Sequence, residues 1–341
     1  VTLANGQTIT IAVGQSSGTV SVPVADDAYQ GNAPVTTNIT AVSGGNYENL
    51  VANQAPVTTA ITDVATTTTV SLAATPSVAE GGSIVYTATL SNPAGSPVAV
   101  TLSNGQVITI AAGQTSGSAT VAAPADDPYV DGGRVTAQIT NATGGNFENL
   151  AVNGAAAVTT VTDTIDTTTV TLTAAPSVAE GSAITYTASV GAPVTGSPVL
   201  VTLANGQTIT IAVGQSSGTV SVPVADDAYQ DNASVSTNIV GVSGGNYENL
   251  VANQSPVTTA ITDVATTTTV SLAATPSVAE GGSIVYTATL SNPAGSPVAV
   301  TLSNGQVINI AAGQTSGSTT VAAPADDPYV DGGRVTAQIT N

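Results

Sequence analysis

The sequence predicts an all-β chain of Ig-like sandwich domains arranged end to end. Three observations carry this reading. β-branched residues alternate with small polar ones, turn residues recur at short intervals, and one pattern of about 100 residues repeats along all 341 positions.

Composition supplies the first constraint. The chain has no Cys, Met, Trp or His, one Phe and nine Tyr, with 34 Gly and 18 Pro. Aliphatic and small residues must therefore build every core, and Val, Ile and Thr suit a pleated, half-buried surface. A hydrophobic content of 42% separates the chain from acidic disordered segments. Domains of this size hold together without disulfides. Val1 falls inside a repeat, so the natural termini are expected outside this sequence and targeting is not readable from it.

Charge supplies the second. Twenty-one acidic residues oppose two basic ones, Arg134 and Arg334, for a formal charge of -19. This excludes nucleic acid and anionic membrane surfaces as partners and favours cations. No apolar run reaches the roughly 18 residues of a membrane helix, so direct insertion is not expected.

The repeat fixes the organisation. The segment from Val1 recurs in close variants from Val100, Val201 and Val300, at spacings of 99, 101 and 99 residues. The third unit is longer because Gly191 to Gly196 replaces the shorter turn Ser91 to Gly95. Residues 1–30 are identical to 201–230, so the closest copies alternate. Thr-rich linkers at 63–69 and 163–169 divide the chain into complete repeats at 65–164 and 165–264. Residues 1–64 are a partial repeat without its first two strands, and 265–341 one without its last. Both partial ends are expected to fray unless partnered.

Within the second repeat seven runs predict seven strands: 68–73, 83–90, 98–102, 106–111, 118–122, 134–140 and 158–162. Ile84, Tyr86 and Ala88 alternate with Val85, Thr87 and Thr89, as a strand with one buried face requires. Ser103-Asn104-Gly105 reads as a hairpin turn. Seven short strands in this length indicate an Ig-like sandwich lacking the Cys and Trp of antibody domains.

The acids recur at fixed places. In the second repeat they are Glu80, Asp126, Asp127, Asp131, Glu148 and Asp163; in the third, Glu180, Asp226, Asp227, Asp231, Glu248 and Asp263. Consecutive antiparallel strands place the first–second and fifth–sixth loops and the end of the seventh strand at one pole, facing the next repeat. Glu80, Asp126, Asp127, Asp131 and Asp163 are therefore predicted to gather there, joined across the junction by the linker residue Asp166 and by Glu248. The incomplete repeats carry Asp26, Asp27 and Asp63 at one end, and Glu280, Asp326, Asp327 and Asp331 at the other. Gly31 replaces the third loop acid in the first repeat, which predicts a weaker site.

So many like charges held close repel one another or take up protons unless a cation intervenes. Ca2+ fits best, since it accepts six to eight oxygens with loose geometry. Mg2+ demands a tighter octahedron, and zinc prefers His or Cys. The spacing is neither that of an EF-hand nor of RTX nonapeptides, and solvated loop acids remain the plain alternative.

Nothing here predicts an enzyme. Ser and Thr have no His or Lys to activate them, and the paired acids lack a sugar-binding aromatic platform. Tyr29, Tyr129, Tyr229 and Tyr329 follow the acidic pair and match the placement of a tyrosine corner. Phe147, in Asn146-Phe147-Glu148-Asn149-Leu150, is expected to plug the loop between the last two strands.

The string Pro76 to Leu90, followed by Val100 to Gly105 and Ala125-Asp126-Asp127, resembles the extender repeats of giant bacterial adhesins. The likeness runs through the whole chain. It is similar to the Ig-like repeats of LapA-type biofilm adhesins and to the repeated region of the RTX ice-binding adhesin. The resemblance implies calcium-dependent spacers, type I secretion and display on a Gram-negative cell surface as a single-chain fibre. Its partners would be calcium ions and neighbouring repeats. The competing class is a multivalent carbohydrate- or protein-binding module, in which near-identical copies give avidity.

Overall fold

Every residue except Asn232 and Asp331 is described by the computed structural model, and its regular structure is entirely strand. Two units, Val1–Asp166 and Thr167–Asn341, carry two repeats each. The first repeat holds β1 (Thr2–Leu3), β2 (Val35–Thr37), β3 (Ile39–Ala41) and β4 (Val57–Thr59). The second holds β5 (Thr67–Ala74), β6 (Ser77–Ala79), β7 (Ser83–Leu90), β8 (Val98–Leu102), β9 (Val107–Ile110), β10 (Ser116–Ala122), β11 (Arg134–Ala137), β12 (Ile139–Gly144), β13 (Asn149–Val152) and β14 (Ala157–Thr162).

One layer of the second repeat is the sheet β10-β7-β5-β13, and the other strands form β12-β8-β9 and β11-β14-β6. Side chains alternate as the sequence predicts. Ile84, Tyr86, Ala88 and Leu90 of β7 are buried against Val98, Val100, Leu102, Ile108 and Ile110, while Val85 and Thr89 face out.

The seven expected runs become ten strands. The sixth run breaks at Gln138, whose N–H is taken by Ser103 Oγ at 3.2 Å. β6 and β13 were not foreseen. The first strand pairs antiparallel with β7 as β5, then resumes beyond Pro76 as β6, parallel to β14. Proline cannot donate to a ladder, which makes it a natural break point. The final strand behaves likewise, with β13 parallel to β5 and β14 antiparallel to β11. Thr159, fully buried at this crossing, donates its hydroxyl to Thr75 O at 2.7 Å.

The third repeat repeats the plan with β15 (Thr167–Ala174), β16 (Ser177–Ala179), β17 (Ala183–Ser189), β18 (Val199–Leu203), β19 (Thr208–Ile211), β20 (Ser217–Pro223), β21 (Ser234–Thr237), β22 (Ile239–Ser243), β23 (Asn249–Ala252) and β24 (Val257–Thr262). The fourth holds β25 (Val270–Ala274), β26 (Ser283–Leu290), β27 (Val298–Thr301), β28 (Val307–Ile310) and β29 (Ser316–Ala322).

Tertiary pairing, rather than local propensity, makes these strands. Residues 201–230 form most of β18, all of β19 and all of β20, because β20 pairs with β17 along its length. The identical residues 1–30 lack that partner and form only β1. Without a neighbouring strand the same chemistry leaves its backbone groups to solvent.

Candidate metal centre

Parallel pairing builds the site. β6 and β14 place Ala79 opposite Thr162, so the residues that follow, Glu80 and Asp163, emerge side by side with ligand oxygens within 4.8 Å. Glu80 N–H donates to Thr162 O at 3.0 Å and holds that register. Gly81 N–H donates to Pro124 O at 2.7 Å, drawing in the loop with Asp126 and Asp127. Gly133 and Val161 exchange both main-chain bonds, at 3.1 and 2.8 Å, which closes the same loop around Asp131.

Glu80 is only 7% exposed. Its Oε2 and Asp163 Oδ1 are buried and meet no hydrogen-bond donor. Burial, then the hydrogen-bonding contact with Asp131, then the charges of Asp131, Asp163 and Asp127 push the Glu80 carboxyl from its ordinary 4.5 up to about 7. A cavity of about 390 Å³ opens here, lined by Glu80, Asp127, Asp131 and Arg134 among others. Asp126 stands at its side and accepts the Thr164 hydroxyl.

The third repeat reproduces the arrangement. β16 and β24 set Ala179 opposite Thr262, and Glu180, Asp231 and Asp263 offer ligand oxygens within 4.8 Å of one another. Glu180 is 8% exposed with Oε2 unpartnered. Burial, then the charges of Asp227, Asp263, Asp231 and Asp226, raise its pKa. All four aspartates assigned to this pole thus act on Glu180. Asp231 N–H donates to Asp263 Oδ1 at 3.2 Å.

The first repeat differs in kind. Asp63 accepts Gly31 N–H at 3.0 Å and the Asn32 side-chain amide at 2.6 Å, so donors occupy the carboxylate that would face a cation. Asp26 accepts the Thr66 hydroxyl at 3.3 Å. In the fourth repeat Glu280 is half-buried and Asp326 lies beside the Gly281 turn; Asp331 falls outside the described residues.

Each acidic pair also has a local duty that the sequence did not disclose. Asp27, Asp127, Asp227 and Asp327 each accept the N–H of the tyrosine two residues on, at 2.7 to 2.9 Å. These are Asx turns, which fix the loop and commit one oxygen of the second aspartate.

Glu248 lies half-buried between β22 and β23, and Asp166 is exposed ahead of β15. The counterpart Glu148 shows what the position ahead of β13 does. Its Oε2 accepts the linker Thr66 N–H at 2.6 Å, and its own N–H donates to Ala28 O of the first repeat at 3.1 Å. Three left-handed residues, Gly144, Gly145 and Asn146 (φ 99°, 85° and 54°), present it. A Cβ on Gly144 would lie 2.2 Å from Pro97 O, and one on Gly145 2.2 Å from the Phe147 ring. Phe147 itself is 4% exposed, a plug as the sequence suggested.

The tyrosine-corner reading is corrected for Tyr29 and Tyr229. The Tyr29 hydroxyl donates to Pro93 O at 2.7 Å and that of Tyr229 to Pro293 O at 3.1 Å. Both acceptors lie one repeat downstream, whereas a tyrosine corner closes within its own domain.

The model of the LapA domain matches residues 1–64, 66–164, 166–264 and 266–341. The chain belongs to the LapA domain family. As a tandem array of LapA domains it is a repeat region of a large adhesin, a protein of the cell surface or its exterior, and its role is structural. No curated protein matches it.

Proposed function

We propose that this LapA domain array is a spacer that holds adhesive parts of its protein away from the cell during surface attachment and biofilm formation, with Ca2+ stiffening the ends of its repeats. The carrying observation is a buried carboxylate with an unpartnered oxygen, Glu80 Oε2 and Glu180 Oε2, at the same place in two repeats. An isolated buried anion is expensive to maintain. The charges that act on Glu80 and Glu180 to raise their pKa are all aspartates, so the site calls for a cation or a proton.

The donor set is all oxygen, which fits Ca2+. Glu80, Asp131 and Asp163 would hold it in the second repeat, with Asp126 and Asp127 beside them; Glu180, Asp231 and Asp263 would do so in the third, with Asp226 and Asp227. Asp163 and Asp263 end the last strand of a repeat and lead into the next. A cation bound to them therefore restrains the exit of the chain, turning a hinge into a continuation of the rod. At 100 times its dissociation constant each ion would add about 2.7 kcal/mol of stability.

Small-angle scattering and thermal melting, each with calcium and with EDTA, test the proposal. Calcium should lengthen the maximum dimension and raise the melting temperature. Equal curves in both media would overturn it.

A further inference from the structure

We infer that the second and fourth repeats each carry a second docking site, independent of any cation, whose occupant is the tyrosine that follows the acidic pair of the repeat before. Two separate junctions show it, one within each unit. In the first, the Tyr29 hydroxyl donates to Pro93 O at 2.7 Å and the ring stacks on Phe147, with centroids 5.7 Å apart and planes 21° apart, an offset geometry that aromatic pairs favour. The main chain joins in, since Tyr29 bridges Phe147 and Gln30 N–H donates to Asn146 O at 2.9 Å. Ala28 of the first repeat is buried within the core of the second. In the other unit, the Tyr229 hydroxyl reaches Pro293 O.

The decisive residues are Gly95 and Gly295. Neither has positive φ, so the backbone conformation would accept a side chain there. A Cβ on Gly95 would sit 3.0 Å from Gly145 O and 3.1 Å from Tyr29 Cδ1, and one on Gly295 2.8 Å from Tyr229 Cδ1. At Gly295 the three atoms nearest to such a Cβ all belong to the tyrosine ring. These glycines form the floor of a socket for a ring from another repeat.

Exposure follows the same logic. Tyr29, with both floor and stacking partner, is half-buried, and Tyr229, held on the floor through its ring and hydroxyl, is 40% exposed. The third repeat builds this corner from other parts. Its longer turn sets Gly196 at φ 72°, and Tyr247 stands in place of Phe147 with its hydroxyl on Ala192 O at 2.7 Å.

The test uses the full chain, whose lack of cysteine allows a single pair of spin labels at Val213→Cys and Thr289→Cys. Distance distributions across this junction are recorded in EDTA and in calcium for the parent, Tyr229→Ala and Gly295→Ala. In EDTA the parent should give a narrow distribution and both variants one at least twofold wider, with melting of the β17 and β26 sheets unchanged by hydrogen exchange. A parent distribution in EDTA as wide as the variants', or variants as narrow as the parent, would overturn the inference. The calcium arm separates this from the spacer reading. Narrowing by calcium in parent and variants alike, from an equally wide start, leaves calcium and removes the socket. No response to calcium alongside variant-specific widening leaves the socket and removes calcium.

Discussion

Glu80 and Asp163 stand next to each other because β6 runs parallel to β14, with Ala79 opposite Thr162. Two acids more than eighty residues apart in sequence are thereby locked at adjacent rungs of one ladder, and neither can swing away without breaking it. Their ligand oxygens, within 4.8 Å of each other, are close enough to hold one metal ion between them.

Neutralising one partner should relieve the repulsion. Glu80→Gln and Glu180→Gln are expected to raise the melting temperature in EDTA and to abolish most of the gain that calcium gives. Parallel melts in the two media check this. A variant that still gains as much from calcium as the parent would take Glu80 and Glu180 out of the site.

Proton binding gives an independent handle on the same carboxyl. Glu80 titrates near 7 in the fold against an ordinary 4.5. Between those values the folded chain holds a proton that the unfolded chain has released, so metal-free stability must fall as pH rises through that window. Below about 4.5 the effect vanishes, because both states are protonated. Urea titrations in EDTA at pH 5 and pH 8 should show the lower midpoint at pH 8, and saturating calcium should reduce the difference. A higher midpoint at pH 8 in EDTA would contradict this.

The repeats should not bind alike. Asp63 already receives Gly31 N–H and the Asn32 amide, whereas Asp163 Oδ1 receives none. Calorimetric titration should therefore lose a tight calcium site with Asp163→Asn and lose none with Asp63→Asn, with Asp263→Asn, whose parent Oδ1 already accepts Asp231 N–H, falling between them. Equal losses from all three would show that the donors on Asp63 give way to metal.

Much of this was legible in sequence, for reasons that also mark where reading stopped. Period-two alternation exposed the inner face of β7, from Ile84 to Leu90, because one buried face imposes that pattern. Strand parity predicts one pole for Glu180, Asp226, Asp227, Asp231 and Asp263, of which Glu180, Asp231 and Asp263 have ligand oxygens within 4.8 Å of one another. β6 and β13 escaped because three- and four-residue strands have no period of their own and exist only by pairing with β14 and β5. The role of Tyr29 escaped because its acceptor, Pro93 O, lies 64 residues on in another repeat. A signal was present: Gly95 and Gly295 sit where no turn demands glycine, and an unexplained glycine points to something pressed against it.

One feature of the core invites a gain rather than a loss. Tyr86 and Tyr186 are at most 1% exposed, and each hydroxyl lacks a hydrogen-bond partner; burial alone raises both phenol pKa values. An unsatisfied buried hydroxyl costs about 1–3 kcal/mol, while the ring fills space the sandwich needs. Tyr86→Phe and Tyr186→Phe keep the ring and remove the cost, so each should raise stability by about 1 kcal/mol. Ile108→Ala, at a fully buried site of the same core, should instead lose about 2–5 kcal/mol through transfer and cavity terms. Denaturant midpoints at constant slope would establish both signs. A fall on Tyr86→Phe would mean that the hydroxyl makes a favourable bond in solution, and the expected gain would be lost.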